Sequence, residues 1–255
     1  MKLATWNVNS LKVRLPQVLE LLAAQKPDVL CLQETKLEDG NFPLADIAAA
    51  GYQAVFSGQK TYNGVAILSP HALQKVTHGI ADFDDPQKRV IAAVVNGVRV
   101  ICAYIPNGES VESDKYRYKL DWLGRLNACL KVELTQYPRL ALLGDYNIAP
   151  EDRDVHDPKF WQGKVLFSEP EKAAFRDMVA LGLQDSFRLF EQPEKSFSWW
   201  DYRMNGFKRN LGLRIDHILL SAALAKLCKN CVIDRQMRAK ERPSDHAPVL
   251  AEIEV

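Results

Sequence analysis

The chain has 255 residues, 47% of them hydrophobic, and its 33 basic and 32 acidic side chains leave a net charge of +1. That is apolar material for a large core, while the near-zero charge excludes polyanion binding by bulk electrostatics, so any such surface must be a local patch. No apolar run reaches the roughly 20 residues of a membrane helix, MKLATWNVNS lacks a signal-peptide pattern, and five scattered Cys are expected of a cytoplasmic protein.

In chain order, Lys2–Val8 reads as a strand, and Ser10 is placed to cap a helix through Leu15, Val18, Leu19 and Leu22. Lys26-Pro27-Asp28 breaks that helix before a strand at Val29–Gln33. Further strands are expected at Tyr52–Ser57, Val65–Leu68, Val90–Val95 and Val98–Ile105, the last two joined by the turn signal Asn96-Gly97. Ser113–Gln136 carries Tyr116, Leu120, Leu123, Leu126 and Leu130 at helical spacing. Then come a strand at Leu140–Leu143, a helix at Glu169–Leu181, a strand at Leu213–Leu220, and closing strands around Val232 and at Val249–Val255. Many strands mixed with helices predict one α/β domain over residues 1–255, with sheet packed on sheet.

Several strands end in a polar group. With period-two alternation, Leu3, Thr5, Asn7 and Asn9 share a face, as do Leu30, Leu32 and Glu34. So do Ala141, Leu143, Asp145 and Asn147, if the extended form continues, and Arg214, Asp216 and Ile218. In RPSDHAPV, two prolines bracket Asp245 and His246. Taken singly, Asn9 and Glu34 read as ordinary turn or loop residues, and Gly144-Asp145 as turn material. Taken together, Glu34, Asp145 and Asp245 form carboxylates whose repulsion calls for a cation. Hard oxygen donors with few Cys or His point to Mg²⁺ or Mn²⁺ and not to zinc, and such an ion beside His and amide groups suits phosphoryl chemistry. Cys228 and Cys231 form a C-x-x-C with no second ligand pair and read as strand residues. His217 points away from Asp216 and reads as a core histidine, while His71, His78 and His156 read as surface-turn residues.

The motifs TWNVNSL, LQETK, GVAIL, YIPNGES, LLGDYNIAP, FSWWDYR, GLRID and RPSDHAPV resemble, in order and spacing, the exonuclease III family of DNA-repair nucleases within the endonuclease/exonuclease/phosphatase superfamily. The resemblance runs from about Met1 to Glu254. It implies a four-layer α/β sandwich (DNase I-like), two mostly antiparallel mixed sheets flanked by helices. It also implies a Mg²⁺-dependent monomeric enzyme, with Mn²⁺ able to substitute. Its substrate would be double-stranded DNA with damaged or recessed 3′ ends, or abasic sites. By the same resemblance, Glu34, Asn7 and Asp245 belong to the metal site together with Asp145 and Asn147. Asp145 would position or deprotonate the attacking water, and Asn147 would steady the transition state. Tyr104 would hydrogen-bond the phosphate or its neighbours, Asp216 orient His246, and His246 contact the phosphate. Asp145 and His246 both stand as proton acceptors at this stage.

For DNA contact, residues 199–214 hold four aromatics, four bases and one acid, a local +3. Trp199, Trp200, Arg203 and Arg214 are candidates there, one Trp being expected inside the core. Lys36, Asn63 and Arg89 fall at the family's DNA-contact positions. Leu166 stands where abasic-endonuclease members carry Ser or Gly, which implies weaker abasic-site incision than 3′-end processing. Two rivals are a superfamily phosphatase acting on other phosphoesters, opposed by FSWWDYR and GLRID, and a catalytically dead DNA-binding module, opposed by the presence of Glu34, Asp145, Asn147 and His246.

Overall fold

The structure, a computed structural model, describes residues 1–254. Its strands are β1 (Lys2–Asn7), β2 (Val29–Gln33), β3 (Gln53–Ser57), β4 (Val65–Ser69), β5 (Gln74–His78), β6 (Val90–Val95), β7 (Val98–Tyr104), β8 (Leu140–Asp145), β9 (Leu183–Asp185), β10 (Trp199–Trp200), β11 (Gly212–Leu213), β12 (Asp216–Ser221), β13 (Cys228–Ile233) and β14 (Val249–Ile253). Twelve of them form two six-stranded sheets, ordered β13-β14-β1-β2-β4-β3 and β5-β6-β7-β8-β12-β9. Within each sheet one central pair is parallel, β1 with β2 and β7 with β8, and the remaining neighbours are antiparallel.

Alternation sorts the side chains into layers. Leu3, Cys31, Ile67, Val100, Cys102, Leu143 and Ile218 meet between the sheets. Ala4, Trp6, Leu30 and Leu32 turn the other way, onto the helix Leu11–Gln25. Leu142, Ile101 and Leu219 pack on the far side against Trp122 and Leu126 of the helix Asp114–Gln136 and Phe175 and Met178 of the helix Glu169–Ala180. Helix, sheet, sheet and helix make the four expected layers. Among the described residues no helix is long and apolar enough to cross a membrane.

Two differences from the sequence reading have physical causes. The strand expected over Leu213–Leu220 is two, because the Ser198 hydroxyl accepts from the backbone N–H groups of Ile215 and Asp216 at 3.0 Å and interrupts the ladder. The edge strand β5 shows no alternation, only Val76 being partly buried and Lys75 having a left-handed φ of 48°. His71 lies at a partly exposed bend as expected, but it has a partner there, its Nε2 lying 2.7 Å from Asp28 Oδ1.

Within each parallel pair, both strands run the same way, so their C-terminal ends open on one edge of the sandwich. Asn7 ends β1, Tyr104 ends β7, Asp145 ends β8, and Glu34 follows β2. Asp216 opens the antiparallel β12 directly opposite Asp145. Gly144 lets β8 reach this edge at all: a Cβ there would lie 1.8 Å from the Ala103 carbonyl oxygen.

Candidate active site

The site is assembled from strand ends that stop being extended. Glu34 has φ 52° and Asn147 φ 49°. Neither continues the alternation of its strand, as the sequence reading had assumed. Leu30 and Leu32 face the helix layer, whereas the left-handed turn swings Glu34 toward β1 and β7. Asn and a backbone held on several sides tolerate that conformation.

Asn7 sits at the centre. Its Nδ2 donates to Glu34 Oε1 at 2.9 Å and to Asp145 Oδ2 at 2.8 Å. The Tyr104 hydroxyl donates to the same Glu34 oxygen at 2.9 Å, and the Lys36 ammonium lies 2.8 Å from Glu34 Oε2. Asp145 Oδ1 accepts the Asn147 backbone N–H at 2.9 Å. The Asn147 amide donates to the Ile105 carbonyl and accepts from Asn107, both at 3.0 Å. On the far side, His246 Nδ1 lies 2.9 Å from Asp216 Oδ2 and His246 Nε2 lies 3.7 Å from Asp145 Oδ2.

The RPSDHAPV segment is held by more than its prolines. The Trp200 N–H donates to the Asp245 carbonyl at 3.0 Å and the Ala247 N–H to the Ser198 carbonyl at 2.7 Å, so residues 245–247 form a short ladder with residues 198–200. The Trp6 indole donates to the His246 carbonyl at 3.0 Å, and the Ser244 hydroxyl to the Asn7 carbonyl at 2.7 Å. Asp245 accepts from Asn9 Nδ2 at 2.9 Å and from the Trp199 indole at 3.0 Å. Asn9, read from the sequence as a turn residue, thus belongs to the site, as do Asn107, Ser198 and Ser244. Ser198 and Ser244 lie inside quoted motifs, but nothing local distinguishes them from loop serines.

Burial alone would lower the His246 pKa, but Asp216 and Asp145 outweigh it and raise it to about 10. Burial pushes the Asp145 carboxyl up to about 7, with Asp216 adding to the rise and His246 and Asn7 opposing it. Burial would likewise raise Glu34, yet Lys36 and Asn7 hold it below the usual carboxylate range. Burial, then Glu34 and Asp145, drive Tyr104 far above an ordinary phenol, so it stays a donor.

The donor set suits a hard cation. Four carboxylates (Glu34, Asp145, Asp216, Asp245) gather around two cationic groups, Lys36 and His246, and the carboxamide oxygens of Asn7, Asn9 and Asn147 lie among them, accepting from the Asn9 N–H, the Lys36 ammonium and the Asn107 amide. Ligand atoms of Asp145, Asp216 and His246 lie within 4.8 Å of one another. In that trio, however, the imidazole already bridges the two acids. The oxygens open to a cation are therefore those on the Glu34–Asn7–Asp145 side.

Of the residues expected to meet DNA, Trp199 is half-buried beside Asp245, Lys36 is on Glu34, and Arg203 extends into solvent, paired with Asp201. Asn63 and Arg89 line a groove of about 500 Å³ with Tyr62, Tyr104, Asn107 and Lys115, the Arg89 guanidinium resting 4.7 Å above the Tyr104 ring. Trp200 and Arg214 depart from the expectation of DNA contact. Trp200 is fully buried, its indole bonded to Asn210. Arg214 is buried among Asp154, Asp185 and His217, because the strand is interrupted ahead of Asp216 and the guanidinium falls on the His217 side. His217 is the core residue expected, bonded to the Ile148 carbonyl at 2.8 Å.

With this arrangement in view, the chain compares clearly with known proteins. Residues 4–246 match the Endonuclease/Exonuclease/phosphatase family, and the chain belongs to that family. It is 38% identical to exodeoxyribonuclease III of Haemophilus influenzae, over 99% of each chain. Its fold superimposes with a TM-score of 0.98 on the 3′ phosphatase NExo from Neisseria bound to a product DNA hairpin, at 50% identity with both chains fully covered. An AP endonuclease from Archaeoglobus fulgidus gives 0.96 at 40% identity, again over the whole of both chains.

Proposed function

We propose that this protein is a Mg²⁺-dependent nuclease of double-stranded DNA that processes 3′ ends, as a 3′-to-5′ exonuclease and a 3′-phosphatase or 3′-phosphodiesterase, and incises abasic sites weakly. The observation that carries the reading is the meeting, at one edge of the sandwich, of the Glu34 and Asp145 carboxylates, bridged by the Asn7 amide NH₂, with the Asp216–His246 pair. The relatives' names, an exodeoxyribonuclease and a 3′ phosphatase, point the same way.

Glu34, Asp145 and the nearby Asn7, Asn147 and Asp245 are the residues that would hold the ion. Bound there, it would neutralise charge developing on the phosphate. His246 is an imidazolium at neutral pH, since its pKa is raised to about 10. It therefore donates to the phosphate through Nε2 and does not accept the proton. That leaves Asp145, buried with its carboxyl raised to about 7, to take the proton of the attacking water. Asn147 steadies the phosphate oxygens, Tyr104 holds Glu34 in place, and Asp216 holds the His246 tautomer. Lys36, Asn63, Arg89, Arg203 and Trp199 frame the duplex.

The weak abasic incision follows from Leu166. It is buried at φ 75° and packs in one apolar cluster with Ala149, Val155, Leu213 and Trp199. On this reading its bulk takes room from an extrahelical sugar that would enter beside Trp199. The test is a panel of labelled duplexes bearing a recessed 3′ end, a 3′-phosphate or an abasic site, with Mg²⁺ or with chelator. Cleavage of the first two and little of the third is expected, with gain on the third in Leu166→Gly. Failure on all three overturns the nuclease reading. Full incision by the wild type, or no gain in the variant, overturns the role of Leu166.

A further inference from the structure

We propose that the buried Lys119–Glu171 ion pair is a positioning device that locks the Asn147 segment to the Leu166 segment. The phosphate-side amide and the pocket wall are then set by one strut. This deepens the function proposed above and rests on it for its kinetic consequences.

Lys119, on the helix Asp114–Gln136, and Glu171, on the helix Glu169–Ala180, are both fully buried and bonded to each other. The ammonium has three donors, and all are used: on Glu171 Oε1, on the Asn147 carbonyl at 2.7 Å and on the Asn107 carbonyl at 3.1 Å. Asn107 is also the residue whose side-chain amide orients that of Asn147. Glu171 is equally filled. Its Oε1 also accepts the Leu166 N–H at 3.0 Å, and its Oε2 accepts the Ser168 N–H at 3.0 Å and the Ser168 hydroxyl at 2.5 Å. The Leu166 carbonyl closes the circuit by accepting the Ala149 N–H at 2.8 Å. Residues 147–149 and 166 are thus tied on both faces of the Leu166 peptide, once directly and once through the ion pair.

Stability alone is a poor reason for such a pair, because well-packed apolar residues of similar volume are often as stable. What an apolar pair cannot do is direct two backbone carbonyls and two N–H groups at once. Asn147 and Leu166 both hold left-handed φ, a conformation that persists only where neighbours over-determine it.

The test compares wild type with Lys119→Met/Glu171→Gln, which removes the strut without leaving an unpaired buried charge. Lys119→Met/Glu171→Leu serves as a second variant if the first fails to fold. Backbone amide resonances are recorded without substrate, so this arm does not depend on nuclease activity. The Asn147 and Leu166 signals are expected to move together while those of Leu68 and Ile67 stay. Steady-state rates on a 3′-phosphate duplex are then measured in the wild-type and Asn147→Ala backgrounds. A loss of about 10- to 100-fold in kcat, with KM changed less than about threefold, is expected in the first. The loss should largely disappear in the second, because the strut acts through Asn147. Unmoved Asn147 and Leu166 signals, or equal losses in both backgrounds, overturn the proposal. A wild type inactive on this duplex counts against the proposed function instead and leaves the resonance arm to decide the strut.

Discussion

His246 Nδ1 lies 2.9 Å from Asp216 Oδ2 while its Nε2 points to Asp145 Oδ2 at 3.7 Å, so one imidazole stands between two acids. The pair Asp216–His246 raises the imidazole pKa to about 10. Replacing Asp216 with Asn keeps the shape and removes the charge. The His246 pKa, followed by NMR titration, is expected to fall by more than one unit, and the single-turnover rate by roughly 10²- to 10⁴-fold. An unchanged titration would remove Asp216 as the source of the shift.

Asp145→Asn tests the proton acceptor. An Asn here keeps one oxygen to accept the Asn147 N–H but turns its NH₂ on the Asn7 donor, so the melting temperature should fall by only a few degrees while cleavage drops by about 10²-fold or more. In the wild type the rate should climb on an acid limb at about pH 7, or lower with Mg²⁺ present, as Asp145 ionises. It should fall again near pH 10 as His246 loses its proton. A rate with no acid limb would remove Asp145 as the proton acceptor, and a rate that does not fall as the pH passes 10 would remove the charged His246 as the donor.

His217 sets an acid limit to stability. Burial, then the Arg214 charge, lowers its pKa to about 4. Above the ordinary value of about 6.5 both folded and unfolded chains are neutral here and nothing is lost. As pH falls from there toward 4, only the unfolded chain binds the proton, which removes roughly 2–3 kcal/mol. Urea midpoints should therefore decline across this window and decline less in His217→Gln.

Gly144→Ala should be severe although the change is one methyl group. The added Cβ would meet the Ala103 carbonyl at 1.8 Å in the centre of a six-stranded sheet, where the backbone has no room to yield. A loss of more than about 3 kcal/mol is expected, read as a fall in melting temperature of some 6 °C or more.

Mg²⁺ added to the protein alone should raise the melting temperature by roughly 5 °C at saturation, since it binds only where folding gathers the carboxylates. Glu34→Gln should abolish the rise. A full shift retained in that variant would place the ion elsewhere.

Layers and chemistry were legible in the order of amino acids alone. Alternation specified which side chains of β1, β8 and β12 share a face, although both faces are buried, one against the other sheet and one against helices. The motifs around Glu34, Asp145, Asp216 and His246 named the reacting groups. Only tertiary structure decided how those groups meet. Left-handed turns at Glu34 and Asn147 redirect side chains that alternation would send elsewhere, and a turn angle depends on neighbours from β1, β7 and the helix layer. Arg214 and Trp200, basic and aromatic in a segment that reads as a DNA surface, are buried: Asp154 and Asp185 come to Arg214 from distant positions, and Asn210 of the same segment folds back to accept the Trp200 indole. The Lys119–Glu171 strut lies 52 residues apart in the chain and has no local signature, since a Lys on an amphipathic helix looks solvated until the helices pack.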